Sequence, residues 1–407
     1  MNSAVKSEKI KVLYASTVCS QKVFDYIYAK SAIKPRISIQ KFHKLFVGGI
    51  KDTGFFNITS LSILPISAKN NKRLLWNVNG EICDGVKYVY TRFINISILN
   101  KLMQYLYVLL YALLWVAKPG KKVIVCDVLT LQASAAILIG KIFHVEVVGI
   151  ITDIPLISTK SLLRKKVNLI IKFSIKYIIY CINQCDSYVM LTEQMMDCVK
   201  RKDKDYVIIE GFSELNKTDG INNIGGIDEN EMSILYAGGL YEGFGVKMLI
   251  EAFMCLRKDN IRLDLYGYGD MVDEIKKYMK IDNRIRFMGM VPNNIVVEAE
   301  KRSYLLVNPR PSDIEIAKYS FPSKIIEYMS SGRPVLTTKL PGIPREYYDY
   351  LFFIDDESAD GMKKSLEIII DKDSSEINKI GAKAYDFMRN NKSAKQQSLK
   401  FYKMINR

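Results

Sequence analysis

The stretch NPRPSDIEIAKYSFPSKIIEYMSSGRPVLTT, from Asn308 to Thr338, decides the fold. An apolar run, SYLLVN, ends at Asn308 and reads as a strand. A loop with Arg310 and Lys318 follows. Ser320, Phe321, Pro322 and Ser323 then lead into a helical pattern, with Ser320 the expected N-cap and Pro322 near the first turn, where its missing N–H costs little. Gly332 closes the helix, and a new strand begins after Pro334. A strand, a helix and a strand in this order make a right-handed parallel crossover. Lys324 falls in the first helical turn, where a cation opposes the helix dipole, and an anion bound there would account for it. Glu327, three residues on, shares nearly the same face and can accept hydrogen bonds from sugar hydroxyls. A plain Lys–Glu surface pair is the alternative.

Outward from this segment the same unit recurs. MSILYAG, IRLDLYG, RIRFMG and PVLTT in the second half, and VLYAS, KYVY, VIVCD, VEVVGI and SYVML in the first, are β-branched runs separated by helical patterns. Two such series predict two doubly wound parallel sheets, with ligands at the carboxyl ends of the strands. The break lies at 211–231, GFSELNKTDGINNIGGIDENE, which is rich in Gly, Asn and acids. The expected organisation is therefore residues 1–210, a linker at 211–231, a second domain at 232–385, and a terminal helical segment, 386–407, packing back on the first domain. At the start of the second domain, YAGGLYEGFGVKMLIEAF (Tyr236 to Phe253) is a strand, a Gly-rich turn and a helix. Gly238, Gly239, Gly243 and Gly245 suit either a bound diphosphate or simply tight turns.

Composition narrows the partners. The 59 Lys and Arg against 43 Asp and Glu leave a net charge of +16, which attracts nucleic acid, an anionic membrane surface or a phosphorylated substrate. There is no zinc-finger spacing and no RNP-like aromatic motif to favour nucleic acid. Between Asp153 and Asp186 there is no acid, while Lys160, Arg164, Lys165, Lys166, Lys172 and Lys176 alternate with apolar residues, so this stretch reads as a membrane-surface helix or as a solvated one. A second segment, Leu102 to Ala117, has sixteen uncharged residues. At about 1.5 Å per residue it reaches roughly 24 Å, short of a ~30 Å hydrocarbon core, and predicts a buried or an interfacial helix rather than a span. The first residues lack an apolar h-region, so no signal peptide is expected. Seven scattered Cys fit a reducing compartment, which makes the expected location cytoplasmic, at the inner face of the cell membrane.

GGL at Gly238, LYGYGD at Leu265 and above all FPSKIIEYMSSGRPVLTT together resemble the retaining glycosyltransferases of family 4, in particular those that build bacterial capsule, exopolysaccharide or O-antigen units. The resemblance implies the α/β GT-B fold, two doubly wound Rossmann-like domains facing a central cleft. It implies transfer from a nucleotide-diphosphate sugar, UDP-linked in the first instance, to a lipid-linked saccharide with retention. Gly238, Gly239, Lys318, Tyr319, Ser320, Phe321, Pro322, Ser323 and Glu327 would then face the donor, with Glu327 on its ribose. Two departures stand out. Tyr319 occupies the place of the family's first glutamate, and Gly239 and Phe244 stand near the usual Arg and Lys. Arg310, Lys318 and Lys324 are thus the expected cations for the leaving diphosphate, Arg310 and Lys324 acting in catalysis.

In the first domain Thr152 and Asp153 follow a strand, where similar enzymes carry a His–Asp pair. Asp153 is the expected catalytic acid of that half, or else a turn cap. Ser16, Thr17, Thr152 and His43 are the expected acceptor contacts, although a lone His on an amphipathic stretch also suits a structural role. Neither a metal nor another cofactor is expected. Two other readings are open: a sugar-nucleotide epimerase of the same fold, or a basic nucleic-acid-binding protein.

Overall fold

The computed structural model of the protein describes residues 8–154, 169–215 and 231–407. The chain forms two compact units, the first running to Phe212 and taking in Ala394–Arg407, the second being Ser213–Ser393.

In the first unit the strands are β1 (Ile10–Ser16), β2 (Phe56–Ser62), β3 (Leu75–Trp76), β4 (Glu81–Cys83), β5 (Val86–Tyr90), β6 (Phe93–Ile94), β7 (Lys122–Asp127), β8 (Glu146–Ile151), β9 (Ser187–Met190) and β10 (Tyr206–Ile208). Eight of them form one sheet in the order β10-β9-β8-β7-β1-β2-β5-β4, parallel except for the β4–β5 pair. The central strands are buried on both faces, which explains their unbroken apolar runs. Helices α1 (Gln21–Lys30), α2 (Ile37–Asp52), α3 (Ser97–Val116), α4 (Ser134–Ile142) and α5 (Leu169–Gln184) connect them. The order reverses between β1 and β7, and that switch point opens at the carboxyl ends of the strands.

The second unit holds β11 (Met232–Gly239), β12 (Ile261–Tyr268), β13 (Ile285–Gly289), β14 (Leu305–Asn308), β15 (Val335–Thr338) and β16 (Phe352–Ile354). They form a fully parallel sheet in the order β13-β12-β11-β14-β15-β16, the dinucleotide-fold order with its switch point between β11 and β14. Its helices are α6 (Val246–Met254), α7 (Val272–Ile281), α8 (Asn293–Arg302), α9 (Ser323–Ser330), α10 (Ala359–Ile370) and α11 (Ser374–Asn391), while α12 (Ala394–Ile405) returns to the first unit.

One boundary changes, two stretches fall outside the described residues, and one open alternative narrows. The last boundary falls at Ser393 and Ala394 rather than near 385, because α11 stays with the second unit, Phe387 packing on Tyr347 and Tyr350. Only α12 joins the first unit, where Gly49 of α2 lets it approach: a Cβ there would lie 2.2 Å from the Ala394 carbonyl oxygen. Most of the expected linker, 216–230, and the basic run from Lys160 to Lys166 lie outside the described residues. Finally, α3 is not a buried helix. One face is buried, and Leu102, Leu106, Leu110 and Leu114 are exposed on the other.

Candidate active site at the β11–β14 switch point

Arg310 lies just past β14, and Gly238 and Gly239 end β11, so the switch point brings these three expected residues to one sheet edge. The two glycines sit in extended strand, paired with Gly267 and Tyr268 of β12. They are not turn residues. The positive φ falls instead on Gly245, at +76°, where a Cβ would meet the Pro309 carbonyl oxygen at 1.9 Å. Gly245 therefore lets α6 start against the loop that carries Arg310. The Arg310 guanidinium lies 5.6 Å over the Phe244 ring, its Nε is buried with no hydrogen-bond partner among the described residues, and burial pushes its pKa down. Tyr236 lies nearby and donates its hydroxyl proton to the Gly239 carbonyl at 2.8 Å.

Helix α9 starts beside this edge. Ser320 is not its N-cap: it sits upstream in extended conformation, and Pro322 caps the helix with no side-chain hydrogen bond. Phe321 and Pro322 are buried, Phe321 against Tyr347, so they shape the loop and offer a ligand only backbone. Lys318 and Ser323 are exposed, and Tyr319 and Ser320 half-buried. Tyr328 ties α9 to β11 by accepting from the Ala237 N–H at 2.9 Å and donating to the Ala237 carbonyl at 3.2 Å.

Lys324 forms the Lys–Glu pair that was its alternative reading, and gains a second acid that its position in the helix did not announce. Its Nζ is 3.1 Å from Glu327 Oε2 and 3.7 Å from Oε1 of Glu300, a carboxylate of α8 only 1% exposed. The ammonium thus stands between two acids. Glu327 keeps one oxygen, Oε1, buried with no hydrogen-bond partner among the described residues, which is an acceptor left over for a hydroxyl. A cavity of about 420 Å³ lined by Ser233, Asp264, Tyr266, Glu298 and Arg302 has none of these residues in its lining.

In the first unit Ser16 and Thr17 follow β1, and Thr152 and Asp153 follow β8. Ser16 is buried and accepts from the Val18 N–H; the exposed Asp153 accepts from the N–H of the next residue, Ile154, at 2.8 Å. His43 is not a surface contact. Its ring is fully buried, with Nδ1 hydrogen-bonded to the Tyr14 hydroxyl at 2.6 Å and Nε2 3.7 Å from Asp127 Oδ2. Asp127, at the end of β7 on the switch point, was missed because nothing in VIVCD distinguishes it from a strand end. Burial works against its charge, but His43, Thr130 and the Leu129 N–H outweigh this and hold its carboxyl below the usual range. Burial and Asp127 together push the Tyr14 hydroxyl well up.

Two Rossmann-like units, the second in dinucleotide-fold order with a lysine at its switch-point helix, define the GT-B class of α/β fold. Residues 231–371 match the family model described as Glycosyl transferases group 1. The chain is similar to a protein of Methanocaldococcus jannaschii described as the uncharacterized glycosyltransferase MJ1069, with 26% identity over 214 residues. That alignment spans 50% of this chain and 53% of the relative, about half the length of each. Among solved structures, the lipopolysaccharide outer core galactosyltransferase WaaB superposes with a TM-score of 0.61 at 15% identity, over 98% of this chain and 99% of that one. Anabaena HepE in complex with UDP and glucose superposes with a TM-score of 0.57 at 13% identity, over 98% and 99%.

Proposed function

We propose that the protein moves a sugar from a nucleotide-diphosphate donor, UDP-linked, to a hydroxyl of a lipid-linked saccharide in surface-polysaccharide assembly of the capsule or O-antigen kind. Transfer proceeds with retention, and the enzyme works in the cytoplasm at the inner face of the cell membrane. Breaking the bond between the sugar and the diphosphate leaves negative charge on the phosphate oxygens, and catalysis needs fixed cations and N–H groups there. Arg310 and Lys324 are the cations, the α9 N-terminus adds N–H groups, and Lys318 stands on the adjoining loop. Glu327 accepts from the ribose. No divalent metal or other cofactor is required, since side chains supply the charge.

The observation that carries this reading is the pair of groups at one switch point left without a hydrogen-bond partner among the described residues, Arg310 Nε and Glu327 Oε1, a donor and an acceptor suited to a phosphate and a hydroxyl. The UDP bound to HepE supports the choice of base only by analogy of fold. The test is a thermal-shift and turnover panel of UDP-, GDP- and dTDP-sugars without added metal, on wild type and Lys324→Ala. A UDP-sugar should stabilise and turn over with wild type alone; equal behaviour of the variant would sink the assignment.

A further inference from the structure

Helix α3 is apolar on both faces. Its buried face packs Val108, Ala112, Trp115 and Val116 and is anchored at its start by two polar residues: Gln104 donates to Asn100 Oδ1 at 2.6 Å and accepts from Thr91 at 2.7 Å, and Asn100 donates to Asn95 at 2.7 Å and to the Ile66 carbonyl at 3.1 Å. Its outer face, at four-residue spacing, carries Leu102, Leu106, Leu110 and Leu114, between 47% and 70% exposed. A water-facing helix would carry polar residues on that outer face. Scattered exposed leucines need no explanation, but a continuous row along a 20-residue helix marks a contact surface.

The neighbouring helix extends the surface and sets its charge. The Tyr105 hydroxyl of α3 is hydrogen-bonded to that of Tyr177 on α5 at 2.7 Å. Among the described side chains of α5 the exposed ones are Lys172, Phe173, Lys176 and Tyr180, again about four apart. Neither helix contains an Asp or Glu, whereas Lys101 of α3 is also exposed. Leucines and aromatics flanked by lysines, with no carboxylate, match an anionic bilayer: acyl chains take the apolar row and headgroup phosphates the ammonium groups. The structure assigns the outer face of α3, with the exposed edge of α5, as a docking surface for an anionic lipid bilayer, on which α3 lies in the plane of the membrane. Although α3 is long and apolar enough to cross, its buried hydrogen-bonded face keeps it in the first unit.

This deepens the membrane element of the proposed function, and its test needs no catalysis. Full-length protein is centrifuged with phosphatidylcholine vesicles with and without phosphatidylglycerol, beside Leu106→Gln/Leu110→Gln and Lys172→Gln/Lys176→Gln variants. All sites are exposed, so the variants should melt like wild type and respond to UDP-sugar like it. Wild type should sediment with the anionic vesicles, the leucine variant should lose about tenfold or more of that binding, and the lysine variant should lose the preference for anionic lipid. Wild type left in the supernatant, variants that bind as wild type does, or an oligomer that the leucine changes dissolve would each overturn the assignment. A folded protein that binds vesicles but no nucleotide sugar would reject the enzymatic reading and leave this one standing.

Discussion

Glu300 of α8 holds a buried carboxylate 3.7 Å from the Lys324 ammonium of α9, so the cation proposed to meet the donor also balances a charge inside the domain. The two roles can be separated. Lys324→Ala should lower stability by about 2 kcal/mol, because it removes the cation facing a buried acid, and should also abolish donor binding. Adding Glu300→Gln should restore the stability and not the binding. Thermal denaturation and UDP titration read the two effects; recovery of both by the second change would make Lys324 purely structural.

Glu327 should matter for binding and little for folding. Its Oε1 has no partner among the described residues, so Glu327→Gln exchanges a charged acceptor that a ribose hydroxyl would use for a neutral amide with one acceptor oxygen instead of two. UDP affinity should fall by about tenfold, since a hydrogen bond to a charged group is worth roughly 1.5–3 kcal/mol. Calorimetric titration showing unchanged affinity would move the ribose elsewhere.

Stability should fall in acid partly through Asp127. Its carboxyl is held below the usual range in the folded protein, so its contribution is fully present above the unfolded value, about 3.9, and is lost as pH falls through the lower folded value. Denaturant unfolding of wild type and Asp127→Asn should therefore differ most near neutrality and converge below about pH 4. A gap that stayed constant with pH would mean that the charge contributes nothing.

Gly49→Ala should loosen α12. The added Cβ would stand 2.2 Å from the Ala394 carbonyl oxygen and 2.5 Å from Ser398 Oγ, so the two helices must separate. The cost should be about 1–3 kcal/mol, with faster amide exchange over 394–405. Unchanged exchange there would show that the contact relaxes freely.

The parallel sheets were legible because strands buried on both faces leave continuous apolar runs, and FPSKIIEYMSSGRPVLTT by its own pattern puts Lys324 and Glu327 on a helix start. Ser320 was misread because capping propensity is local, while the chain enters α9 through a buried Phe321–Pro322 that leaves Ser320 upstream. For His43 the structural alternative gains its partners only in the fold. Tyr14 and Asp127 come from β1 and β7, and no spacing along the chain brings a strand end to a helix 84 residues away.

Periodicity and punctuation, being properties of neighbouring residues, by themselves determined the alternation of strands and helices, the two-domain plan and the basic helix start. Strand order does not follow from sequence neighbours. Only the tertiary structure decided that Arg310 stands at the same sheet edge as Gly239, that Glu300 faces Lys324, and that the leucines of α3 point outward, because each of these depends on which distant segments share a surface.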